Sequence, residues 1–306
     1  REALPIAPAA VHGGDEQCRP CQEDVIRHIL SGKDCLVLMP TGGGKSLCFQ
    51  IPALMMEGTA VVVSPLISLM KDQVESLRAN GIEAAALNSN ASEAENREIA
   101  ERAYRGEYKM LYDSHERLLA EMETGVLHHS SGTNPTGPLK VSMFAIDEAH
   151  CISQWGHDFR PEYTQLGRIK EFFPGVPVAA FTATADKITK EDIVQQLRLE
   201  KDKTGDPKIF VSSFDRPNLS LDVRRGYSAQ DKLRFLLALI ARHRNESGIV
   251  YCMSRKTTET VAMKLQEEGV RATAYHAGLS PRERDEVQEE FINDNIDAVC
   301  ATIAFG

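Results

Sequence analysis

This 306-residue chain has one tryptophan, a 6% share of aromatic residues and no surplus of positive charge. Its 35 lysines and arginines stand against 44 aspartates and glutamates, for a formal net charge of -9. That balance argues against a protein that coats nucleic acid indiscriminately. It leaves room for one that grips phosphates locally with backbone amides, hydroxyls and a few basic groups. No apolar run approaches the roughly 20 residues of a membrane helix, so no membrane partner is expected. The amino terminus lacks a basic segment followed by an apolar core, and the chain is read as intracellular. A disulfide framework is not expected either. The seven cysteines are odd in number, and Cys35, Cys48, Cys151, Cys252 and Cys300 lie in apolar stretches, as small core residues of a reducing compartment do. Cys18 and Cys21 have the spacing of half a zinc site or a redox pair. No second pair at metal spacing accompanies them, so zinc is not expected in this chain.

What is present is an α/β rhythm. Hydrophobic residues make up 42% and charged residues 26%, ordinary for a globular protein, and the length allows two cores. Apolar runs at 35–39, 59–63, 109–112, 141–146 and 178–184 read as strands. They alternate with helical patterns at 22–29, 64–80, 93–105 and 189–197. After a breaker-rich stretch at 200–207 the rhythm resumes, with strands at 219–224, 248–252, 272–276 and 298–302. Helices lie near 231–241, 257–268 and 281–293, the last opening with a Ser280/Glu283 capping box. Such alternation implies parallel sheets covered on both faces. The domains are expected as a mobile tail at 1–14, a first domain at 15–211, a linker at 212–218 and a second domain at 219–306.

Two motifs carry chemistry. Met39-Pro-Thr-Gly-Gly-Gly-Lys-Ser46 follows an apolar strand and precedes a helix, the order a P-loop needs. Gly42, Gly43 and Gly44, with Thr41, let successive amides face phosphate oxygens. Lys45 reaches the β and γ phosphates, and Ser46 is placed to ligate a metal. The first glycine of the usual pattern is Met39 here. Asp147 and Glu148 close the 141–146 strand, where open α/β sheets bind ligands. Asp147 is suited to hold Mg²⁺ and Glu148 to orient and deprotonate water. Alone, the pair also reads as a solvated strand end.

Beyond them, Asp147-Glu-Ala-His150 runs into Cys-Ile-Ser-Gln-Trp-Gly-His-Asp-Phe-Arg-Pro-Glu-Tyr163. With the variant P-loop, this ring-rich stretch closely resembles the RecQ DNA helicases of helicase superfamily two, most closely the bacterial members, over about residues 19–306. The resemblance implies two RecA-like P-loop domains, ATP with Mg²⁺, and both single-stranded and duplex DNA as partners. It implies adenine recognition by Arg19 and Gln22. It also implies strand contacts at Ser64, Lys71 and Gln73, at Asn88 and Ser89, and at Ser254, Arg255, His276 and Thr302 in the second domain. On composition alone these are ordinary polar positions of caps and loops. Gln154, Trp155, Phe159 and Arg160 are implied to sense DNA, with rings for bases and a guanidinium for phosphate. His150 is expected to relay that contact to the γ-phosphate site, and Thr182 and Thr184 to couple hydrolysis to domain movement. The chain departs from the pattern at Asp15, where an aromatic is common, and at His115, where a proline is usual. The arginine-finger motif and the zinc and winged-helix modules of the family are not in this chain, so the second domain is expected to be incomplete.

The resemblance implies a parent ATP-dependent helicase that moves 3′ to 5′ on single-stranded DNA and unwinds duplex in repair and recombination, with this chain its incomplete motor core, expected to bind ATP and DNA with impaired turnover. It would be cytoplasmic, nucleoid-associated if bacterial and nuclear if eukaryotic. Alternatives are an RNA-directed ATPase and a passive, nucleotide-gated DNA-binding module.

Overall fold

The computed structural model describes residues 18–19, 21–87, 91–124, 139–201, 205–213, 219–302 and 305. The tail at 1–14, Asn88, Ser89 and the 130–138 loop lie outside them. The chain divides into two compact units, Arg1–Arg216 and Pro217–Gly306.

In the first unit the apolar runs become β1 (Cys35–Leu38), β2 (Thr59–Val63), β3 (Ala84–Leu87), β4 (Met110–Asp113), β5 (Val141–Ile146), β6 (Val178–Thr182) and β7 (Ile209–Val211). They form one sheet in the order β3-β4-β2-β5-β6-β1-β7, with every pairing parallel. Because side chains alternate along a strand, each run feeds two cores. Leu36, Leu38, Val61, Val63, Phe144 and Ile146 face one side, while Val37, Met39, Ala60, Val62, Met143 and Ala145 face the other.

Helices cover both faces. On the Val37 side lie α1 (Gln22–Leu30), α2 (Lys45–Met55) and α3 (Ile67–Ala79). In α1 the spacing of Val25, Ile26 and Ile29 puts all three on one fully buried stripe, each contributing about 1.5–3 kcal/mol. On the opposite side pack α4 (Glu93–Tyr104), α5 (His115–Thr124), a short α6 (Ile169–Phe172) and α7 (Lys187–Gln196). Gly81, at φ 75°, ends the α3 segment in the left-handed conformation that glycine adopts without strain. Asp34, at the root of β1, fastens three segments. It accepts from Lys170 Nζ (2.7 Å), Val178 N (2.8 Å) and Glu200 N (2.8 Å).

The second unit holds β8 (Gly248–Tyr251), β9 (Ala272–Tyr275) and β10 (Ala298–Ala301), parallel and ordered β8-β10-β9. α8 (Ala229–Arg242) and α9 (Arg255–Glu267) pack on one face, and α10 (Pro281–Ile292) on the other. The Ser280/Glu283 capping box forms with both of its hydrogen bonds. One expected strand does not. Residues 219–224 alternate Leu219, Leu221 and Val223 with polar neighbours, yet none of them belongs to a described strand. Leu221 is 95% and Val223 80% exposed. Alternation yields a strand only where a neighbouring strand supplies hydrogen-bond partners and cover.

Among the described residues no helix is long and apolar enough to cross a membrane.

Candidate active site

Strand order brings the chemistry together. β2, β5, β6 and β1 are consecutive in the sheet and parallel, so the segments leaving their carboxyl ends are neighbours. Those segments hold Ser64, the Asp147/Glu148 pair, Thr182 and the P-loop. Met39 N donates to Thr182 O (3.1 Å) and Asp147 N to Val63 O (2.8 Å), which ties each segment to the next strand.

In the loop, Gly42 and Gly44 have φ of 74° and 79°, and a Cβ on Gly43 would lie 2.8 Å from Pro40 O. These positions therefore need glycine. α2 starts at Lys45, so its first-turn amides face the loop and form an anion cradle. Lys45 Nζ lies 3.4 Å from Met39 O. Gln22 is buried against the cradle. Its amide nitrogen donates to Gly44 O (3.0 Å) and its oxygen accepts from Arg19 N (2.6 Å), while Arg19 Nη1 donates to Gly42 O (2.6 Å). The two expected adenine readers thus brace the P-loop backbone, and both ends of the Gln22 amide are already engaged.

At the end of β5, burial and the neighbouring Glu148 charge push the Asp147 carboxyl up to about 6. Glu148 moves the other way. A hydrogen bond from His150 holds it below its usual range, although burial opposes this. Adjacent carboxylates with opposite shifts are the signature of divided roles. Hard oxygen donors at a half-buried, charge-crowded position fit Mg²⁺, with Asp147 and the Ser46 hydroxyl as the groups that would hold it.

Glu148, at φ 46°, turns the chain into a short 3-10 helix, Ala149–Ile152. There His150 Nδ1 lies 3.2 Å from Glu148 Oε2 and 3.0 Å from Thr182 Oγ1. Thr182 Oγ1 donates to Thr184 O (3.1 Å), which leaves it to accept from His150 and fixes the Nδ1–H tautomer. The His150 ring stacks on His157 at 4.2 Å and 17°, and His157 Nδ1 is 3.5 Å from Thr184 Oγ1. Glu148, His150, Thr182, Thr184 and His157 thus form one connected group. Most of it lines a cavity of about 310 Å³ that reaches Thr41 of the P-loop.

The loop that follows presents its rings to solvent, Trp155 at 63% and Phe159 at 40% exposure; Gln154 is exposed beside them. Arg160 anchors it. Its backbone N donates to Cys151 O (2.8 Å), Nη1 donates to Pro65 O (3.1 Å), and Nη2 is 3.2 Å from Asp158.

The remaining expected strand contacts divide. Lys71 and Arg255 are exposed, as is Ser254, which also caps α9 by accepting from Thr257 N (3.2 Å). Thr302 is half-buried at the end of β10. Ser64 and His276 are turned inward. Ser64 is buried, and His276 is held between Glu259 (3.1 Å) and Gly278 N (3.2 Å). Gln73 accepts from Gln50 Nε2 (3.0 Å). Sequence reading assigned no role to His157 or Asp158, although both stand inside the loop it singled out.

Two α/β units, a P-loop and a strand-end acidic pair are the features of the helicase class of folds. The DEAD/DEAH box helicase family model matches residues 19–193, and the helicase conserved C-terminal domain model matches residues 231–306. Among curated proteins, the chain is 48% identical to the ATP-dependent DNA helicase RecQ of Pasteurella multocida, over 96% of this chain and 44% of that protein. It is 42% identical to RecQ of Bacillus subtilis, over 96% of this chain and 47% of the relative. This chain belongs to the RecQ family of the DEAD/DEAH box helicases. It spans a little under half the length of these relatives. Solved structures with the same fold include S. cerevisiae Dbp5 bound to RNA and ADP BeF3, at TM-score 0.63 and 18% identity over 98% of this chain and 74% of that one. Another is Mycobacterium smegmatis Lhr bound to ssDNA and AMP-PNP, at TM-score 0.64 and 18% identity over 97% and 42%.

Proposed function

We propose that this chain is the motor portion of an ATP-dependent DNA helicase. In this reading it hydrolyses ATP to move 3′ to 5′ on single-stranded DNA and part duplexes during repair and recombination. The observation that carries it is the connected group from Glu148 through His150 and Thr182 to His157, which joins a phosphate cradle to exposed rings. Lys45 and the amides of 42–44 hold the phosphates, with Arg19 and Gln22 positioned against the same loop. Mg²⁺ on Ser46 and Asp147 would neutralise charge on the transferred phosphoryl group. Glu148, ionised at neutral pH, orients water and takes its proton.

Trp155 and Phe159 stack on bases while Gln154 and Arg160 contact the strand, and a shift in the loop reaches Glu148 through the stacked histidines. Lys71, Ser254, Arg255 and Thr302 add backbone contacts. The work divides between a first domain ending near 211 and a second beginning near 219. A DNA motor of this kind acts in the cytoplasm, on the nucleoid of a bacterium, or in a eukaryotic nucleus.

ATP hydrolysis with and without single-stranded DNA, beside a direct nucleotide-binding measurement and Lys45→Ala, tests the reading. Hydrolysis that rises with DNA and disappears in Lys45→Ala supports it. Stronger stimulation by RNA makes the chain an RNA-directed ATPase. Nucleotide and DNA binding without turnover makes it a passive gated module.

A further inference from the structure

In a chain of net charge -9, residues 222–234 reverse the local sign: Arg224, Arg225, Lys232 and Arg234 stand against only Asp222 and Asp231. Both carboxylates are already engaged. Asp222 accepts from Arg224 Nε at 2.8 Å, and Asp231 completes the capping box of α8 with Ser228. Arg225, Lys232 and Arg234 are exposed, with no acidic partner among the described residues.

Beside them sits an ordered pair of rings. The Arg224 guanidinium lies 4.2 Å over Phe235, Tyr227 meets Phe235 edge-on at 6.4 Å and 71°, and Arg224 Nη1 donates to Tyr227 Oη at 3.5 Å. Arg224, neutralised by Asp222, thus serves as a strut that fixes both rings. Tyr227 remains 38% exposed. Around them is a shallow hollow of about 490 Å³, lined by Arg225, Gly226, Tyr227, Arg234 and Phe235 and by Asp231, whose carboxylate is held in the α8 capping box.

Its place in the fold matters. The carboxyl-terminal half of α8, through Leu236 and Ile240, packs on the core that holds Ala298, where β10 begins, and the turn after the helix leads to Gly248 at the start of β8. The 14-residue helix is about 21 Å long, so its amino-terminal end comes to the carboxyl ends of the same strands. That is the ligand-binding end of an open α/β sheet, the end that also carries Ser254, Arg255 and Thr302.

We propose that this hollow is a single-stranded nucleic-acid site in which Tyr227 stacks on a base while Arg225 and Arg234 each neutralise a phosphate. It rests on the reading of the chain as a DNA motor and adds residues 225–234 to its DNA-contacting surface. An exposed ring between unpaired guanidiniums favours a strand with free bases over a duplex, whose base faces are hidden in the stack.

The test is binding of labelled oligo(dT) and of a blunt duplex across a potassium chloride series. It compares the wild type, the Arg225→Gln/Arg234→Gln double variant and Tyr227→Leu. Loss of two phosphate contacts lowers the slope of log K against log salt by about 1.4 on single strands. Loss of one stacked base weakens oligo(dT) binding about tenfold and leaves duplex binding unchanged. Slopes and affinities equal to wild type overturn the site, as does a Tyr227→Leu loss that is equal on the duplex. A wild type that binds no oligo(dT) refutes the DNA-motor reading itself, whereas a binding wild type with unaffected variants refutes this site alone. The substitutions replace exposed side chains, and unfolding midpoints check that the unit is intact. Photocrosslinking of the wild type to bromodeoxyuridine oligonucleotides needs no variant. A cross-link on Tyr227 supports the site, and cross-links confined to other peptides count against it.

Discussion

Replacing Asp147 by Asn should make the nucleotide-free chain more stable at neutral pH while removing a group on which its proposed chemistry depends. The folded chain raises this carboxyl from 3.8 to about 6, chiefly through burial and then through the Glu148 charge. A carboxyl raised on folding behaves oppositely to a salt-bridged one. Between pH 4 and 6 the folded state holds a proton that the unfolded state has released, so stability falls as pH rises through that window. Above pH 6 the full cost is present, about 3 kcal/mol at about 1.4 kcal/mol per unit. Asparagine carries no charge and can still accept the Glu148 N–H, which now donates to Asp147 Oδ1 at 2.9 Å. Asp147→Asn should therefore gain up to about 3 kcal/mol at pH 7.5, with the gain shrinking toward zero at pH 4.

Urea unfolding followed by far-ultraviolet circular dichroism, without nucleotide and with a chelator, measures this at pH 7.5, 6 and 4.5. A variant no more stable than the wild type at pH 7.5, or a gap that does not close with acid, would refute the argument. The same variant should lose the Mg²⁺ dependence of nucleotide binding, which makes the site a case of function held at the expense of stability.

Two other substitutions separate scaffold from coupling. Asp34→Ala leaves the Lys170 ammonium and the Val178 and Glu200 amides without the acceptor they share. It should cost about 3–5 kcal/mol in urea unfolding, and a loss under 1 kcal/mol would show that water replaces the carboxylate. Thr182→Val keeps shape but removes the hydroxyl between His150 and Thr184. Nucleotide affinity should hold while stimulation of hydrolysis by single-stranded DNA falls at least tenfold, and unchanged stimulation would remove Thr182 from the proposed relay.

Much of this architecture was legible because its signals are local. The glycines, Lys45 and Ser46 are contiguous, the central strands are unbroken apolar runs, and Ser280 and Glu283 are three residues apart. Two of the missed elements have weak local signals, since β7 has only three residues and β3 reads Ala-Ala-Ala-Leu, with little β propensity, whereas α5 was missed despite its helix formers. The strand expected at 219–224 failed for the converse reason, a sound alternation without a neighbour. Side-chain destinations were least legible. Nothing in the neighbourhood of Asp34 announces Lys170, 136 positions away. Nor does the sequence around Ser64 and His276 show that their side chains turn inward.

The exposed rings and the buried acidic pair are related by more than proximity. Gly156 allows the loop to fold back onto His150, because a Cβ there would run into the His150 carbonyl. Arg160 fixes the other end through the Cys151 and Pro65 carbonyls. His157 therefore lies on a short span held at both ends, next to Trp155, and stacks on the histidine whose hydrogen bond lowers the Glu148 carboxyl. In the proposed cycle a strand drawing Trp155 outward would pull on a span whose ends are tethered, and the His150–His157 stack is the contact proposed to give way. Weakening that stack frees His150 to shift relative to Glu148 Oε2, and the carboxylate then recovers a higher proton affinity and becomes the stronger base. In the proposed cycle, DNA thus acts on hydrolysis by loosening a contact that restrains the base, and no new catalytic group has to be supplied.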